Sequence, residues 1–527
     1  MQAILKIRVS EKVYKNRPSF IGKSTGQSVE KNAGQPLYNA AEIKRIEQQA
    51  AASGVYPMYE LMEKAGLACW NYIQQHWQEA KKITIICGKG NNAGDGFVLA
   101  RIAVNEGITV RVLTVEADAE YKGDAQIAYQ AMIEQGIQPQ VFSRQQLADQ
   151  DLIIDAILGT GLKGALRENF LRVIEAVNST MAIDWAPVLS IDIPSGLESD
   201  TGFANPVAIN ATRTLTFIGI KSGMVTAFAR AYCGSIHLDQ LGIDDEIYKQ
   251  FSPVAWIDNT DKLIHNLPKR SEVSHKGDHG HLLLVGGDYG FGGAILMSAI
   301  AAARCGAGML TILTRDAHVA PILSQCPEAM IRSVSGADDP VFLKLLNSVD
   351  AVVIGPGLGQ EDWGVGLLKA ICKSELPILI DADALNILAR NQCKNTHWVM
   401  TPHPGEAGRL LNLPTSKIQQ DRYFAAKQLQ EKYSGVVVLK GAGSLIIDQQ
   451  QTITVCNEGN PGMATAGMGD ILSGIIGSLL AQGIESHLAA RTGVALHARA
   501  GDLAAEKGQK GLMATDLIDP LRMLVNQ

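Results

Sequence analysis

Residues 457–474 read Asn-Glu-Gly-Asn-Pro-Gly-Met-Ala-Thr-Ala-Gly-Met-Gly-Asp-Ile-Leu-Ser-Gly, which sets a glycine-rich turn and Asp470 at the head of a long apolar stretch. Gly467 and Gly469 let the backbone approach a ligand closely. The free N–H groups and positive end of the following helix suit an anion such as phosphate. Asp470 is repelled by a bound phosphate but attracted by the helix terminus, so it can stay ionised and take a proton from a substrate hydroxyl. A lone Gly-x-Gly-Asp is equally well an ordinary helix entry, so its weight comes from its neighbours. Gly286–Ala294 and Ile354–Gly359 are glycine-rich turns that each follow a strand. Asp381–Ala384 and Thr401–Glu406 also end strands, and Lys440–Ser444 fills a turn between two more. Each is singly a plain connection, and together they outline one site.

A second set lies nearer the N-terminus. Gly88-Lys89-Gly90-Asn91-Asn92-Ala93-Gly94-Asp95-Gly96 follows a strand and opens a helix. Its Gly88-x-Gly90-x-x-Ala93 spacing superficially fits a dinucleotide turn, with Glu116 closing the next strand as a ribose-binding acid, so a dehydrogenase is one reading. Asn91, Asn92 and Asp95 add carbonyls and a carboxylate able to hold sugar hydroxyls or a hard cation. Asp155 leads into Gly159–Gly164, and Asp192 and Ser195 stand in Ile191-Asp192-Ile193-Pro194-Ser195-Gly196. All three clusters fall at carboxyl ends of strands, which line one crevice in an open parallel sheet.

The elements that must position these residues come in two α/β sections. The first runs from about Leu37 to Ile247, with a helix over Met58–Trp77 and strands at 83–87, 110–115, 152–156, 188–191 and 214–217. The second begins near Ser252, with strands at 282–285, 310–313, 351–354, 378–380, 436–439 and 445–447. A polar linker is expected over Asp244–Arg270 and a poorly ordered lead over residues 1–36. The domain expectation is therefore 1–36, 37–250 and 251–527. With 527 residues, 46% hydrophobic, 19% charged and a net charge of −6, the chain reads as a compact enzyme with no nucleic-acid or membrane partner. No apolar stretch reaches the roughly 18 residues of a membrane-spanning helix. The eight scattered cysteines read as reduced thiols, which points to the cytoplasm. His275, His279 and His281 alternate between loop and strand and do not suit a zinc site.

The NNAGDG turn, Asp155 with GTGLKG, and IDIPSG resemble the NAD(P)H-hydrate epimerases over nearly the whole first section. The resemblance implies a Rossmann-like three-layer sandwich that interconverts the R and S hydrates of NADH and NADPH. Position by position it implies that Asn92, Asp155 and Ser195 hold potassium. Asn91, Asn92, Ala93, Gly94, Asp95, Gly159, Thr160, Gly161, Leu162, Lys163, Gly164, Ala165 and Asp192 touch substrate, with Asp192 as acid/base. Ala93 stands where the motif usually has glycine. From about residue 270, TPHPGE, KGAGS and NPGMATAGMGD resemble the ADP-dependent NAD(P)H-hydrate dehydratases of the ribokinase-like superfamily. This implies a second three-layer sandwich that phosphorylates the hydrate's hydroxyl and then loses phosphate. Lys440, Gly441, Ala442, Gly443, Ser444 and Gly469 would bind the adenine nucleotide, Ala294, Gly357, Gly359 and His403 the hydrate, and Asp470 would be the base. ADP is favoured on resemblance alone. Mg2+ is expected as a further ion and a homo-oligomer as the assembly.

Two other classes compete with a bifunctional repair enzyme. One is a vitamin or sugar kinase fused to a nucleotide-binding module, which would release a phosphorylated product. The other is a catalytically silent cofactor-binding protein, against which Asp192 and Asp470 argue. Gly22-Lys23-Ser24 is no P-loop, because Arg17 replaces the loop's first glycine.

Overall fold

The computed structural model describes residues 34–527 except Lys163, Trp185 and the side chains of residues 181–184. The expected lead lies outside the described residues as far as residue 33, and its last two positions open a strand. Leu37–Val254 and Ala255–Gln527 form two compact units.

In the first unit the order is β1 (Gln35–Tyr38), α1 (Ala40–Ala52), α2 (Met58–His76), β2 (Lys82–Cys87), α3 (Asn91–Asn105), β3 (Thr109–Thr114), α4 (Asp124–Glu134) and β4 (Gln140–Val141). There follow β5 (Leu152–Ala156), α5 (Glu168–Asp184), β6 (Val188–Ile191), β7 (Arg213–Phe217), β8 (Ile220–Lys221), α6 (Ala229–Tyr232), β9 (Ser235–Asp239) and α7 (Asp245–Tyr248). Seven strands form a parallel sheet in the order β4-β3-β2-β5-β6-β7-β9. Strands covered by helices on both faces must be apolar along their whole length. β5 and β6 accordingly bury every residue, Asp155 included. The reversal of strand order between β2 and β5 opens a crevice at their carboxyl ends.

The second unit runs through β10 (Ala255–Ile257), α8 (Thr260–His265), β11 (His281–Val285), α9 (Gly292–Arg304), β12 (Met309–Thr314), α10 (Asp316–Gln325), β13 (Met330–Ser333), α11 (Pro340–Leu346), β14 (Ala351–Ile354) and α12 (Asp362–Ile371). It continues with β15 (Ile378–Ile380), α13 (Ala382–Arg390), β16 (Trp398–Met400), α14 (Pro404–Leu411), α15 (Thr415–Gln420), α16 (Arg422–Tyr433), β17 (Val436–Leu439), β18 (Ser444–Ile447) and β19 (Ile453–Cys456). It ends with α17 (Met468–Ala481), α18 (Ser486–Ala504) and α19 (Ile518–Leu524). The order β13-β12-β11-β14-β15-β16-β17 is parallel, β18 and β19 add antiparallel, and β10 closes parallel to β19. Helix α17 comes close to both α9 and strand β14 because its contact positions lack side chains. A Cβ on Gly474 would come within 2.0 Å of Ser298 O, and one on Gly477 within 2.2 Å of Val353 Cγ2.

The boundary between the two units, at Val254 and Ala255, lies inside the polar 244–270 segment, which is itself structured. Asp244 caps α7. Ala255–Ile257 joins a sheet, and the Asp258 carboxylate is buried against Arg491 at 2.8 Å and Thr454 Oγ1 at 2.9 Å. Polarity there marks residues with distant partners rather than solvent. The fold is α/β in both units, as expected, with the short strands at 235–239, 330–333, 398–400 and 453–456 added.

Candidate functional site

In the first unit a cavity of about 600 Å³ opens above the carboxyl ends of β2, β5 and β6, a size suited to a small ligand or part of a larger one. Its floor is closed by glycine. A Cβ on Gly88 would come within 1.9 Å of Ile157 O, so only glycine lets the two strand ends approach. Of the predicted residues, Asn91, Asn92, Asp95, Gly159, Thr160, Gly161, Leu162, Ala165 and Asp192 line the cavity. Ala93, Gly94 and Gly164 are not on its wall. Ala93 is fully buried and Gly94 faces Met62 and Ala125. Lys163 lies outside the described residues.

Below the wall, Asp155 sits in a cage of donors. Its carboxylate accepts from Ser190 Oγ at 2.7 Å, from the Ser195 backbone N–H at 2.8 Å, from Ser195 Oγ, and from Ile157 N–H at 3.3 Å. Burial pushes its pKa up against the pull of these bonds. The Leu158 carbonyl accepts from Asn92 Nδ2 at 3.0 Å and from Ser195 Oγ at 3.2 Å. Asn92 Oδ1 is buried and has no hydrogen-bond partner. An orphaned carbonyl oxygen beside a carboxylate and a hydroxyl is a hard-oxygen donor set, and it fits an alkali cation.

Asp192 has φ +65°, uncommon for a residue with a Cβ. Its Oδ1 accepts from the fully buried Lys221 ammonium, from Phe217 N–H at 3.2 Å and from Thr216 Oγ1 at 3.3 Å. Glu47 and Lys221 also line the cavity. Neither was legible as a site residue, because α1 and β8 carry no motif. Burial, then repulsion from Asp192 and Glu47, pushes Asp95 well above the usual carboxylate range. The cavity thus places a carboxylate bonded to an ammonium beside a carboxyl that favours its proton, two groups of the kind that acid/base chemistry uses.

In the second unit, Asp381 follows β15 and is buried. Its Oδ1 accepts from Lys440 Nζ at 2.7 Å and its Oδ2 from Ser473 Oγ at 2.7 Å. Glu406 lies 3.9 Å from the same ammonium, and burial raises it to about 7 although Lys440 opposes the shift. A Cβ on Gly469 would stand 3.3 Å from Lys440 Nζ and 3.5 Å from Asp381 Oδ2, so the head of α17 comes directly onto this ion pair. Gly467 starts that helix at φ +88°. Asp470 is pushed up to about 6 by burial and then by Asp381.

His403 is the N-cap of α14. Its Nδ1 accepts from Gly405 N–H at 3.0 Å and Glu406 N–H at 3.4 Å, while Glu406 Oε2 accepts from His403 N–H at 2.8 Å. The fully buried Arg422 donates to the carbonyls of Leu439 at 2.9 Å, Lys440 at 3.3 Å and Gly443 at 3.4 Å, which shapes the 440–444 turn around it. Gly441, at φ +144°, passes so close that a Cβ would lie 2.9 Å from Arg422 Nη1. Ser444 Oγ closes the turn on Gly441 O at 3.1 Å; Ala442 stands between them. On the other side, Gly359 N–H donates to Asp383 Oδ2 at 3.0 Å, and a Cβ on Gly357 would touch the Ala294 methyl at 3.4 Å.

The structure therefore brings together His403, Lys440, Gly469 and Asp470 with Asp381 and Glu406, and separately Ala294, Gly357 and Gly359. Asp381 and Glu406 were visible at strand ends but without a role, and Arg422 carried no signal. His281 Nε2 lies 2.7 Å from Thr311 Oγ1 and His279 Nε2 3.0 Å from Ser274 Oγ. Among the described residues no group of three or more His, Cys, Asp or Glu is placed to hold a metal, and no helix is long and apolar enough to cross a membrane.

Family models match both units: "YjeF-related protein N-terminus" over residues 58–223 and "NAD(P)H-hydrate dehydratase" over residues 282–522. The bifunctional NAD(P)H-hydrate repair enzyme Nnr of Coxiella burnetii is 44% identical over 93% of this chain and 99% of its own length. That of Escherichia coli is 42% identical over 93% and 94%. A Bacillus subtilis ADP/ATP-dependent NAD(P)H-hydrate dehydratase, co-crystallized with ATP/Mg2+, is 28% identical with a TM-score of 0.46, over 51% of this chain and 97% of its own. With relatives this similar along almost the entire chain, and with both units matched, the chain belongs to the bifunctional NAD(P)H-hydrate repair enzymes.

Proposed function

We propose that the first unit epimerises hydrated NADH and NADPH at the hydroxyl-bearing ring carbon and that the second dehydrates the S hydrate at the expense of ADP, releasing AMP and phosphate. The observation that carries this reading is the pair of separate carboxylate centres, Asp192 on Lys221 and Asp470 beside the Asp381–Lys440 pair. In the cavity, Asp192 exchanges a proton with the substrate, while Asn91–Asp95 and Gly159–Ala165 hold the dinucleotide. Asn92, Asp155 and Ser195 would hold potassium, whose charge would anchor the two loops on either side of the substrate. Diffraction from crystals soaked in rubidium should give an anomalous peak beside Asn92 Oδ1; substrate bound over an empty site would count against the assignment.

At the second centre the α17 terminus and the Lys440–Ser444 turn receive the nucleotide's phosphates. Asp470 takes the proton of the hydrate's hydroxyl as that oxygen attacks the terminal phosphoryl group and AMP leaves, and loss of phosphate together with a proton from the neighbouring ring carbon then restores the ring double bond. Ala294, Gly357, Gly359 and His403 position the hydrate. Mg2+ would be held through the nucleotide's phosphates. The assay supplies both hydrate epimers with ADP or ATP and follows the reduced nicotinamide chromophore. Recovery with stoichiometric AMP and phosphate supports the reading, and no recovery with either nucleotide sinks it. ATP-only turnover would change the donor and leave the elimination. A cytoplasmic homo-oligomer completes the proposal, and solution scattering measures the subunit number.

A further inference from the structure

A further cavity of the second unit, of about 550 Å³, lies between the loop after β14, α13 and α14, and is lined by Gln360, Asn386, Ala389, Arg390, Arg409 and Asn412. Two of these six residues are cations and none is acidic. Each guanidinium is fixed by a neutral acceptor: Arg390 Nη2 donates to Gln360 Oε1 at 2.8 Å and Arg409 Nε to Asn386 Oδ1 at 2.7 Å. Among the described residues neither arginine is ion-paired with a carboxylate. Asn386 and Arg390 stand one turn apart on α13, and both arginines lie in the last turn of their helices. A cation there favours the carbonyl end of a helix, which accounts for a basic residue at each place but not for two unneutralised guanidiniums held by amides on one cavity.

The cavity adjoins the residues given to the hydrate. Gly359 N–H and Gln360 Nε2 donate to the two oxygens of Asp383, at 3.0 Å and 3.1 Å, so Gln360 joins Asp383 on one side to Arg390 on the other. Arg409 stands on the helix that His403 caps. Burial first, then Lys440 and Arg409, push His403 below its ordinary value, so the Arg409 charge is felt at that histidine. We infer that Arg390 and Arg409 form a subsite for a phosphate of the hydrate's dinucleotide, an inference that rests on the dehydratase reading of this unit. Only the nicotinamide ring of that substrate reacts at Asp470; the remainder carries a pyrophosphate and, in hydrated NADPH, a 2′-phosphate as well. With Nη2 of Arg390 and Nε of Arg409 engaged, each guanidinium keeps further N–H groups for the paired bonds that a phosphate accepts. The phosphates of ADP belong in the same reading to the α17 terminus and the 440–444 turn, so each phosphate-bearing ligand has its own cationic partner.

The test measures ADP-driven dehydration by the full chain with the pure S hydrates of NADH and NADPH, and with the hydrate of dihydronicotinamide riboside, which carries no phosphate. In Arg390→Gln, Arg409→Gln and the double variant, KM for a dinucleotide hydrate should rise about tenfold per arginine, the weight of one hydrogen bond to a charged group. The kcat, the KM for ADP and turnover of the riboside hydrate should stay as in the unmodified chain. A rise for both dinucleotide hydrates assigns the pyrophosphate, and a rise for the NADPH hydrate alone assigns the 2′-phosphate. Arg409→Lys, which keeps the charge, should recover part of the loss, and the single variants carry the test if the double variant does not fold. Unchanged KM for both dinucleotide hydrates, or an equal loss on the riboside hydrate, would overturn the inference and leave the repair reading standing. No recovery of reduced nicotinamide by the unmodified chain would overturn both.

Discussion

Lys221, with no solvent exposure, donates its ammonium to Asp192 Oδ1, and the same ammonium also donates to Thr216 Oγ1 at 2.8 Å and Phe217 O at 3.1 Å. One side chain therefore ties the candidate acid/base of the first unit to the end of β7. Lys221→Met removes the ammonium that donates to Asp192 and leaves the carboxylate with Phe217 N–H and Thr216 Oγ1. Epimerisation should fall by about 10²-fold or more, the lower end for a displaced general base. Dehydration of pure S hydrate, measured with the same preparation, should be unchanged.

Separate centres demand separable losses. Asp470→Asn should lower dehydration by about 10²–10⁴-fold and leave the R-to-S conversion running, so S hydrate accumulates without nucleotide hydrolysis. Asp192→Asn should process S hydrate normally and consume R hydrate only at its spontaneous rate. Chiral separation of the hydrates over time reads both. Unimpaired dehydration by a folded Asp470 variant would move the base to Asp381, Asp383 or His403.

The pH profile of dehydration follows from Asp470, raised to about 6 by burial and by Asp381. Below that value it is protonated and cannot accept a proton, so kcat/KM should fall about tenfold per unit as the pH drops and level off above it. The sign for stability is opposite. A carboxyl raised in the folded state stabilises the second unit below the ordinary carboxylate range, and that contribution is lost as pH rises through about 6. A profile flat between pH 5 and 8 would refute the assignment.

Removing one member of a buried ion pair leaves its partner charged and unpaired. Asp381→Ala takes away the carboxylate 2.7 Å from Lys440 and leaves Glu406, at 3.9 Å, beside the ammonium. The second unit should lose about 3–5 kcal/mol. Urea titration followed by Trp398 and Trp363 fluorescence, both residues being in that unit, measures it; a midpoint unmoved at constant slope would contradict the energetic role given to the pair.

Local pattern was enough for the α/β alternation, most central strands, the strand-end position of Asp155, Asp192 and His403, and the helix-start position of Asp470. A covered parallel strand is apolar along its length, and a ligand-binding turn needs glycine beside polar residues; both leave marks within a few neighbouring positions. The short strands at 235–239 and 330–333 left weaker marks, since strands of four or five residues at or near a sheet edge owe their order to their partners. Tertiary structure alone decided that Lys221 meets Asp192 across 29 positions, Lys440 meets Asp381 across 59, and Arg422 holds the 440–444 turn. It also decided that the polar 244–270 segment holds a helix cap, a strand and the buried Asp258–Arg491 pair. A buried charge is tolerable only where a distant charge is brought to it, and the sequence around either partner does not say which residue that will be.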